Sequence, residues 1–257
     1  MENLSQNETL IQKEKYLVRF QFKSFAPMVV LEKLRPRSVD LNMLFVLNKT
    51  NTLANQFLAE LRDSSIQQDM ARFRRNQERL GEIMAYEISK KLKYEAIEVQ
   101  TPLGFANVNV PINYPVLGTI LRAGLPFHQG FLNFYDKSTS AFITAYRKVR
   151  KNGDFIINVD HISTPNLDGK TLIMCDTMLA TGQSMVDVCK ELMAMFTIKD
   201  LHIAAVIASS VGIEHVKAHL PKAHIWVGAV DEEMTSKAYI VPGLGDAGDL
   251  AYGEKMI

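Results

Sequence analysis

The sequence has few cysteines, little net charge and no long apolar run, and each of these absences excludes a class of protein. Its two cysteines, Cys175 and Cys189, form neither a C-x-x-C pair nor a metal-ligand spacing, so we expect a reducing compartment and no disulfide framework. The formal net charge is only +1, with a modest basic excess in the first 93 residues that we interpret as a solvated helix face. No apolar run reaches membrane-spanning length, and the acidic, polar start does not resemble a secretory signal. We therefore expect a cytoplasmic protein with no membrane partner.

The composition predicts a globular protein with a sizeable core. Of the 257 residues, 47% are hydrophobic and 22% are charged, and this length suits one large α/β domain or two small ones. Residues 1–45 carry short apolar runs without a sustained period. Three interpretations of this N-terminal extension stay open: an ordered arm, a partner-binding extension, or a stretch that precedes a true start at Met43. We assign residues 46–257 to one domain.

Residues 51–93 have a helical pattern with a basic cluster. Apolar residues recur on one face of a 3.6-residue period at Leu80, Ile83, Met84 and Ile88. Four arginines precede or join this stretch: Arg72, Arg74, Arg75 and Arg79. Such a cluster could contact RNA or an acidic effector, but a solvated or subunit-facing helix surface is the favoured interpretation.

From about residue 94, β-rich runs alternate with helical patterns. The runs are AIEVQ, YPVLGTIL, AFITAY, TLIMC, LHIAAVIAS and AHIWVGAV. This alternation predicts an α/β fold with a mostly parallel twisted sheet flanked by helices. The polar, turn-rich stretch 147–169 interrupts the alternation and is interpreted as a flap or hood. Because open α/β sheets bind ligands beyond the carboxyl ends of their strands, the residues that follow each strand are the candidate site.

The segment DTMLATGQSM follows the run TLIMC and predicts a phosphate-binding turn. Thr181 and Gly182 open a helix whose first N–H groups can hold a phosphate, while Asp176 can accept hydrogen bonds from sugar hydroxyls. Together these features suggest a ribose phosphate. An ordinary turn with Thr181 or Ser184 as the helix cap is the alternative that the spacing leaves open.

Two arginines also follow predicted strands. Arg122 comes after YPVLGTIL and is next to Ala123-Gly124, and Arg147 comes after AFITAY. Guanidinium groups bind anions bidentately, so two of them beside a phosphate-type turn predict a site for a multiply charged ligand such as a pyrophosphate.

The motifs ILRAGL, AYR, DTMLATGQSM and YIVPGLGDAGD together resemble the uracil phosphoribosyltransferases in order and spacing, over roughly residues 50–257. The resemblance implies a type I phosphoribosyltransferase fold with a hood (residues 147–169 and the C-terminal loop 231–257). It implies conversion of uracil and 5-phosphoribosyl 1-diphosphate (PRPP) to UMP and diphosphate, with Mg²⁺ bound through PRPP and water instead of protein ligands. It also implies a homodimer or higher homo-oligomer, and a GTP effector, since some members respond to GTP. Nucleic acid is not an expected partner.

The resemblance also implies residue roles. The implied catalytic residues are Asp176, Arg122 and Arg147. The implied PRPP-binding residues are Arg122, Arg147, Asp176, Thr177, Met178, Leu179, Ala180, Thr181, Gly182, Gln183, Ser184 and Asp246. The implied uracil-binding residues are Tyr239, Ile240, Gly245, Asp246 and Ala247. Two positions depart from the family pattern: Thr177 replaces a proline, and Gln183 replaces the second glycine of the phosphate loop. The stretch after Arg147 departs as well, which leaves the hood and the choice of base open.

The C-terminal glycines spell G-x-G-x-x-G, the pattern of a dinucleotide-binding turn. A dinucleotide fold needs a helix and a second strand after this pattern, but only nine residues follow Gly248. The pattern is therefore interpreted as the uracil loop. A phosphoribosyltransferase for another base, and a nucleotide-sensing regulator of the same fold that binds RNA or DNA, are the alternative functions.

Overall fold

A seven-stranded sheet organises the chain in a computed structural model that describes residues 43–149 and 155–255. The strands are β1 (Leu44–Val46), β2 (Tyr94–Thr101), β3 (Gly104–Pro111), β4 (Val116–Leu121), β5 (Ser140–Val149), β6 (Phe155–Ser163), β7 (Thr171–Leu179), β8 (Asp200–Ser209), β9 (His224–Asp231), β10 (Glu233–Met234) and β11 (Ile240–Val241). The main sheet has the order β1-β9-β8-β7-β4-β5-β6, in which every neighbouring pair is parallel except β5 with β6. The predicted mostly parallel sheet is confirmed.

Helices cover both faces of this sheet. They are α1 (Leu53–Arg62), α2 (Met70–Ser89), α3 (Leu125–Phe134), α4 (Gln183–Met195), α5 (Ser210–His219) and α6 (Ala247–Tyr252). One core joins α1, α2 and α3 to the face that carries Ile173 and Cys175 of β7. The other joins α4 and α5 to the face that carries Leu172 and Met174. Successive strand residues thus enter opposite cores, which explains why residues 172–175 of β7 form an apolar run without polar alternation.

Two segments differ from the expectations in detail, and a third lies at the boundary of the N-terminal extension. The helical stretch 51–93 is two helices, because Asp69 accepts the N–H groups of Ala71 and Arg72 and so starts a new helix. The run AIEVQ is a strand but pairs only with β3, in an antiparallel hairpin outside the main sheet. β1 pairs with β9, so the sheet takes in Leu44 and Phe45 of the predicted N-terminal extension; residues 1–42 lie outside the described residues.

The described part of the predicted hood contributes a sheet edge. β6 runs antiparallel to β5, and the chain then turns back to β7. Its role as a hood stays a prediction. Over the described residues, no helix combines the length and apolarity required to cross a membrane.

Both cysteines are fully buried, as expected of small apolar side chains. Burial raises the pKa of the Cys189 thiol to about 12 and that of the Cys175 thiol well above its ordinary value. At neutral pH both thiols are therefore protonated and unreactive.

Candidate active site

The candidate site is a cavity of about 830 Å³ at the carboxyl ends of β4 and β7. From β4 the chain continues to β5 on one side, and from β7 it continues to β8 and β9 on the other, so the connection order reverses between these two strands. Open α/β sheets bind ligands at such a point. The register of β4 with β7 ends at the Thr119–Cys175 pair, and the cavity lies beyond it.

The cavity brings together residues that the sequence places more than 100 positions apart. The predicted site residues in its wall are Arg122, Asp176, Met178, Ala180, Ser184, Tyr239, Ile240 and Asp246. The segment after TLIMC, the first arginine and the C-terminal loop thus line one cavity.

β7 is longer than the run TLIMC and continues through Leu179, so Asp176 belongs to the strand and the turn is only Ala180–Gly182. Gly182 has a φ of +74°, and a Cβ on it would lie 2.7 Å from the Gly212 carbonyl oxygen, so glycine is required there. The Ser209 hydroxyl donates to the Ala180 carbonyl and accepts the Gly212 N–H. The turn is therefore held against the start of α5.

Thr181 and Gln183 lie where the turn meets the start of α4. The Gln183 N–H donates to Thr181 Oγ1 at 3.3 Å, while Gly182 is the N-cap of α4 and Ser184 lines the cavity. Gln183 Nε2 donates to Asp187 Oδ1 at 2.7 Å, which directs the side chain along α4 instead of across the turn. The glutamine that replaces the family's glycine thus leaves the turn open to a ligand.

Asp176 contributes a carboxylate to the cavity wall. Its Oδ1 accepts the Thr177 N–H at 2.7 Å. Desolvation by burial raises the pKa of Asp176 to about 7, against the opposing effect of the Thr177 and Met178 N–H groups. Without ligand, this carboxylate therefore changes charge near neutral pH.

Arg122 lies across the cavity from β7. Its Nη2 donates to Asp249 Oδ1 at 3.1 Å and to the Gly253 carbonyl at 3.4 Å. Its Nε is buried and has no acceptor among the described residues. The side chain is 38% exposed and lines the cavity, so the guanidinium offers positive charge to an anion there. Arg147 lies on β5 opposite Ile157, two residues beyond the cavity residue Ala145; its side chain lies outside what the structure describes.

A buried ion pair holds the C-terminal loop. Arg62 donates to both Asp231 carboxylate oxygens, at 2.8 and 2.9 Å, and to the Gly243 carbonyl at 2.9 Å. The Gly243 N–H in turn donates to Asp231 Oδ2 at 3.1 Å. The N–H and the carbonyl of Gly243 are thus both hydrogen-bonded to the Arg62–Asp231 pair. Further along, Asp246 Oδ1 accepts the N–H groups of Gly248 and Asp249 and starts α6.

The predicted uracil residues divide into two groups. Tyr239, 50% exposed, and Ile240 line the cavity together with Asp246. Gly245 lines a separate hollow beside Gln67, and Ala247 is fully buried in α6, so neither forms part of the main cavity wall. Among the predicted PRPP residues, Thr177 and Leu179 are likewise buried behind the wall.

Sequence reasoning missed several residues that build the site. Ala123, Ala145, Ala238 and Lys255 line the cavity, and none of them carries a local signal of function. Asp231 does carry one, since it is a carboxylate at the carboxyl end of a strand. Its partner Arg62 lies 169 positions away on α1 and had no such signal.

The arginines of α2 make contacts within the chain. Arg72 pairs with Glu60 at 2.8 Å and Arg75 with Glu78 at 2.8 Å. Arg74 donates to the Ala251 carbonyl, and Arg79 lies over the Phe57 ring, 5.0 Å from its centroid. Because these side chains are engaged with neighbouring groups, they support the interpretation of an ordinary helix surface over a nucleic-acid interface.

Comparison with known proteins agrees with the motifs. The family model described as Uracil phosphoribosyltransferase matches residues 48–254. The uracil phosphoribosyltransferase of Porphyromonas gingivalis is 49% identical over 211 residues, 82% of this chain and 98% of that protein. That of Pyrococcus furiosus is 35% identical over 202 residues, 77% of this chain and 85% of that protein. The solved structure of the AQ2163 protein from Aquifex aeolicus superposes with a TM-score of 0.74 at 28% identity, covering 84% of this chain and 100% of that one.

Proposed function

The chain belongs to the uracil phosphoribosyltransferase family, and from this membership and the cavity we propose how it acts as an enzyme of pyrimidine salvage. It transfers the phosphoribosyl group of PRPP to uracil and releases UMP and diphosphate. The observation that carries the assignment of the site is the single cavity that Arg122, Asp176 and Tyr239 share. It offers a cation for the diphosphate, a carboxylate for the ribose and an exposed ring for the base.

At the PRPP end, the chain supplies positioning and electrostatic stabilisation. The turn Ala180–Gly182 and the first N–H groups of α4 hold the 5-phosphate, and Asp176 accepts hydrogen bonds from the ribose hydroxyls. Carbon 1 of the ribose loses diphosphate and gains a bond to N1 of uracil, and the proton displaced from N1 is released with the diphosphate. Positive charge develops on the ribose and negative charge on the leaving diphosphate. Arg122, which lines the cavity, and Arg147 stabilise the leaving group.

At the base end, backbone groups select the ring. Uracil presents two carbonyls and two N–H groups, and a loop that Arg62 and Asp231 hold in place can offer its own N–H and C=O groups to that edge. Tyr239 and Ile240 then supply the flat and apolar surfaces. Gly245 and Ala247 contribute to base binding by setting the path of the loop backbone.

The donor groups fit magnesium bound mainly through PRPP. Over the described residues, no cluster of three or more His, Cys, Asp or Glu side chains could form a protein cage for a metal ion. Mg²⁺ keeps several waters and binds through one or two carboxylates plus substrate phosphates. Asp246, whose Oδ1 caps α6, has its second oxygen for such waters. When bound, the ion would neutralise charge on the diphosphate.

The test is UMP formation from uracil and PRPP with Mg²⁺, with hypoxanthine, xanthine and cytosine as alternative bases. We expect turnover with uracil. Turnover with another base only would favour the related transferase, and absence of all turnover together with RNA binding at physiological salt would favour the regulator. The arginines of α2 that the structure describes are engaged within the chain, which argues against the regulator.

A homodimer or higher oligomer is part of the proposal. The β2–β3 hairpin extends outside the main sheet, and every residue of β2 is exposed. It also exposes Leu103 and Phe105 at its turn, at 101% and 70%. A two-stranded hairpin is marginally stable by itself, so this one favours contact with a second subunit.

A GTP effector and a cytoplasmic location are proposed from the family alone. Stimulation by GTP is measured in the same assay.

A further inference from the structure

A buried hydroxyl connects β7 to the segment that directly follows β4, beside the cavity. Thr177 is fully buried, and its Oγ1 lies 2.7 Å from the Ala123 carbonyl oxygen and 2.9 Å from Gln77 Oε1. Ala123 directly follows Arg122, and Thr177 directly follows Asp176. The hydroxyl therefore joins the segment that carries the diphosphate-binding arginine to the strand end that carries the ribose-binding carboxylate.

The number of hydrogen atoms on each group decides which group donates in these two bonds. A threonine hydroxyl has one hydrogen, and a backbone carbonyl can only accept, so Thr177 donates to Ala123. Gln77 is also fully buried, and its Nε2 has no partner in the described residues. With its amide turned so that Nε2 faces Thr177 Oγ1, Gln77 donates to the hydroxyl, which then both accepts and donates. A chain of hydrogen bonds then runs from α2 through β7 to the Arg122 segment.

This bond lies where the sheet itself no longer holds the two strands together. The β4–β7 register ends at Thr119 and Cys175, two residues before Thr177 on β7. Beyond the Thr119–Cys175 pair, β7 and the segment after β4 are separated by a gap, and the hydrogen bond from Thr177 to Ala123 spans it behind the cavity. PRPP must bind across this gap, with its diphosphate at Arg122 and its ribose at Asp176.

We propose, on the basis of the function above, that Thr177, supported by Gln77, is a positioning residue that sets the separation between the diphosphate-binding and ribose-binding halves of the site. The family pattern has proline here, which has neither a hydroxyl nor an N–H. In this chain the Thr177 N–H also donates to Asp176 Oδ1. One residue thus orients the carboxylate and anchors the opposite wall.

The test is Thr177→Val, which keeps the shape of the side chain and removes the hydroxyl. We expect the KM for PRPP to rise about tenfold or more and kcat to fall, while the KM for uracil changes less than threefold, because only the PRPP-binding halves lose their spacing. Thr177→Ser restores the hydroxyl and is expected to return the KM for PRPP to within about threefold of wild type.

Thr119→Val is the matched control. Thr119 is an equally buried threonine on the neighbouring strand, and its Oγ1 has no hydrogen-bond partner among the described residues. The same chemical change there is expected to leave both KM values unchanged. A purely structural effect of losing a buried hydroxyl would not distinguish PRPP from uracil, nor one threonine from the other.

Two results would overturn the inference: a folded Thr177→Val enzyme with an unchanged KM for PRPP, or a serine variant as impaired as the valine one. If the valine variant does not fold, Gln77→Leu replaces it, and a several-fold rise in the KM for PRPP alone is expected; no change would equally refute the inference. Turnover by the wild-type enzyme tests the proposed function separately, and PRPP binding measured by calorimetry tests the positioning role even without turnover.

Discussion

Replacing Asp231 by asparagine should impair uracil binding from a position outside the cavity wall. The substitution keeps the size of the side chain but removes its charge and one acceptor. Arg62 and the Gly243 N–H both donate hydrogen bonds to the Asp231 carboxylate. Asp231 is only 7% exposed and Arg62 23%, so water replaces the lost bonds poorly.

The expected magnitude follows from the contacts. Hydrogen bonds to charged groups contribute about 1.5–3 kcal/mol, so we expect Asp231→Asn to lower the free energy of unfolding by about 2 kcal/mol. If the entire loss falls on the bonds that Gly243 makes with Arg62 and Asp231, the fraction of molecules whose loop can bind uracil falls by at most about 30-fold. We therefore expect a 5- to 30-fold rise in the KM for uracil with little change in that for PRPP.

Glu60→Gln is the control, since it breaks a comparable pair that does not contact the loop. Arg72 and Asn76 donate to the Glu60 carboxylate and lower its pKa to about 2. Stability from this pair is present above the ordinary carboxylate pKa and lost as the pH falls through about 2. Steady-state kinetics and urea unfolding of both variants provide the measurement. A folded Asp231→Asn enzyme with an unchanged KM for uracil, or an equal rise for Glu60→Gln, would refute the reasoning.

Three further predictions concern the PRPP half of the site. Arg122→Ala should raise the KM for PRPP and lower kcat, each by at least about tenfold, because the leaving diphosphate loses a charged donor; unchanged steady-state rates would remove Arg122 from the site. Gly182→Ala should weaken PRPP binding in calorimetry at least about tenfold, because its φ of +74° and a Cβ 2.7 Å from the Gly212 carbonyl force the turn to move; undiminished affinity would contradict this. Asp176→Asn should abolish turnover yet raise Tm at pH 8, because a folded-state pKa of about 7 against an ordinary 3.8 makes ionisation unfavourable to folding. The gain, on the order of 1 kcal/mol or more, should grow as the pH rises from about 4 to 7 and be absent below that window; a Tm difference independent of pH would contradict the assignment.

Local sequence determined the elements and the order of the chemistry along the chain. The apolar runs of β7, β8 and β9 are buried on both faces, so their composition alone identifies them as interior strands of a parallel sheet. Because carboxyl ends of parallel strands share one edge, polar residues after those runs were expected to meet there. Arg122 and Asp176 do line one cavity. The sequence likewise places Gly182 in the turn before a helix, and the structure gives it a φ of +74° there.

Only the tertiary structure decided which distant side chains support that site. Thr177 meets Gln77 across 100 positions, and Asp231 meets Arg62 across 169. No local period encodes these pairs, because they depend on how α1 and α2 pack on the sheet. The same holds for the run AIEVQ, whose strand pattern did not reveal a separate hairpin. Periodicity and turn chemistry act between near neighbours and can be found in sequence, whereas side-chain partners across the core are set by the packing of whole elements.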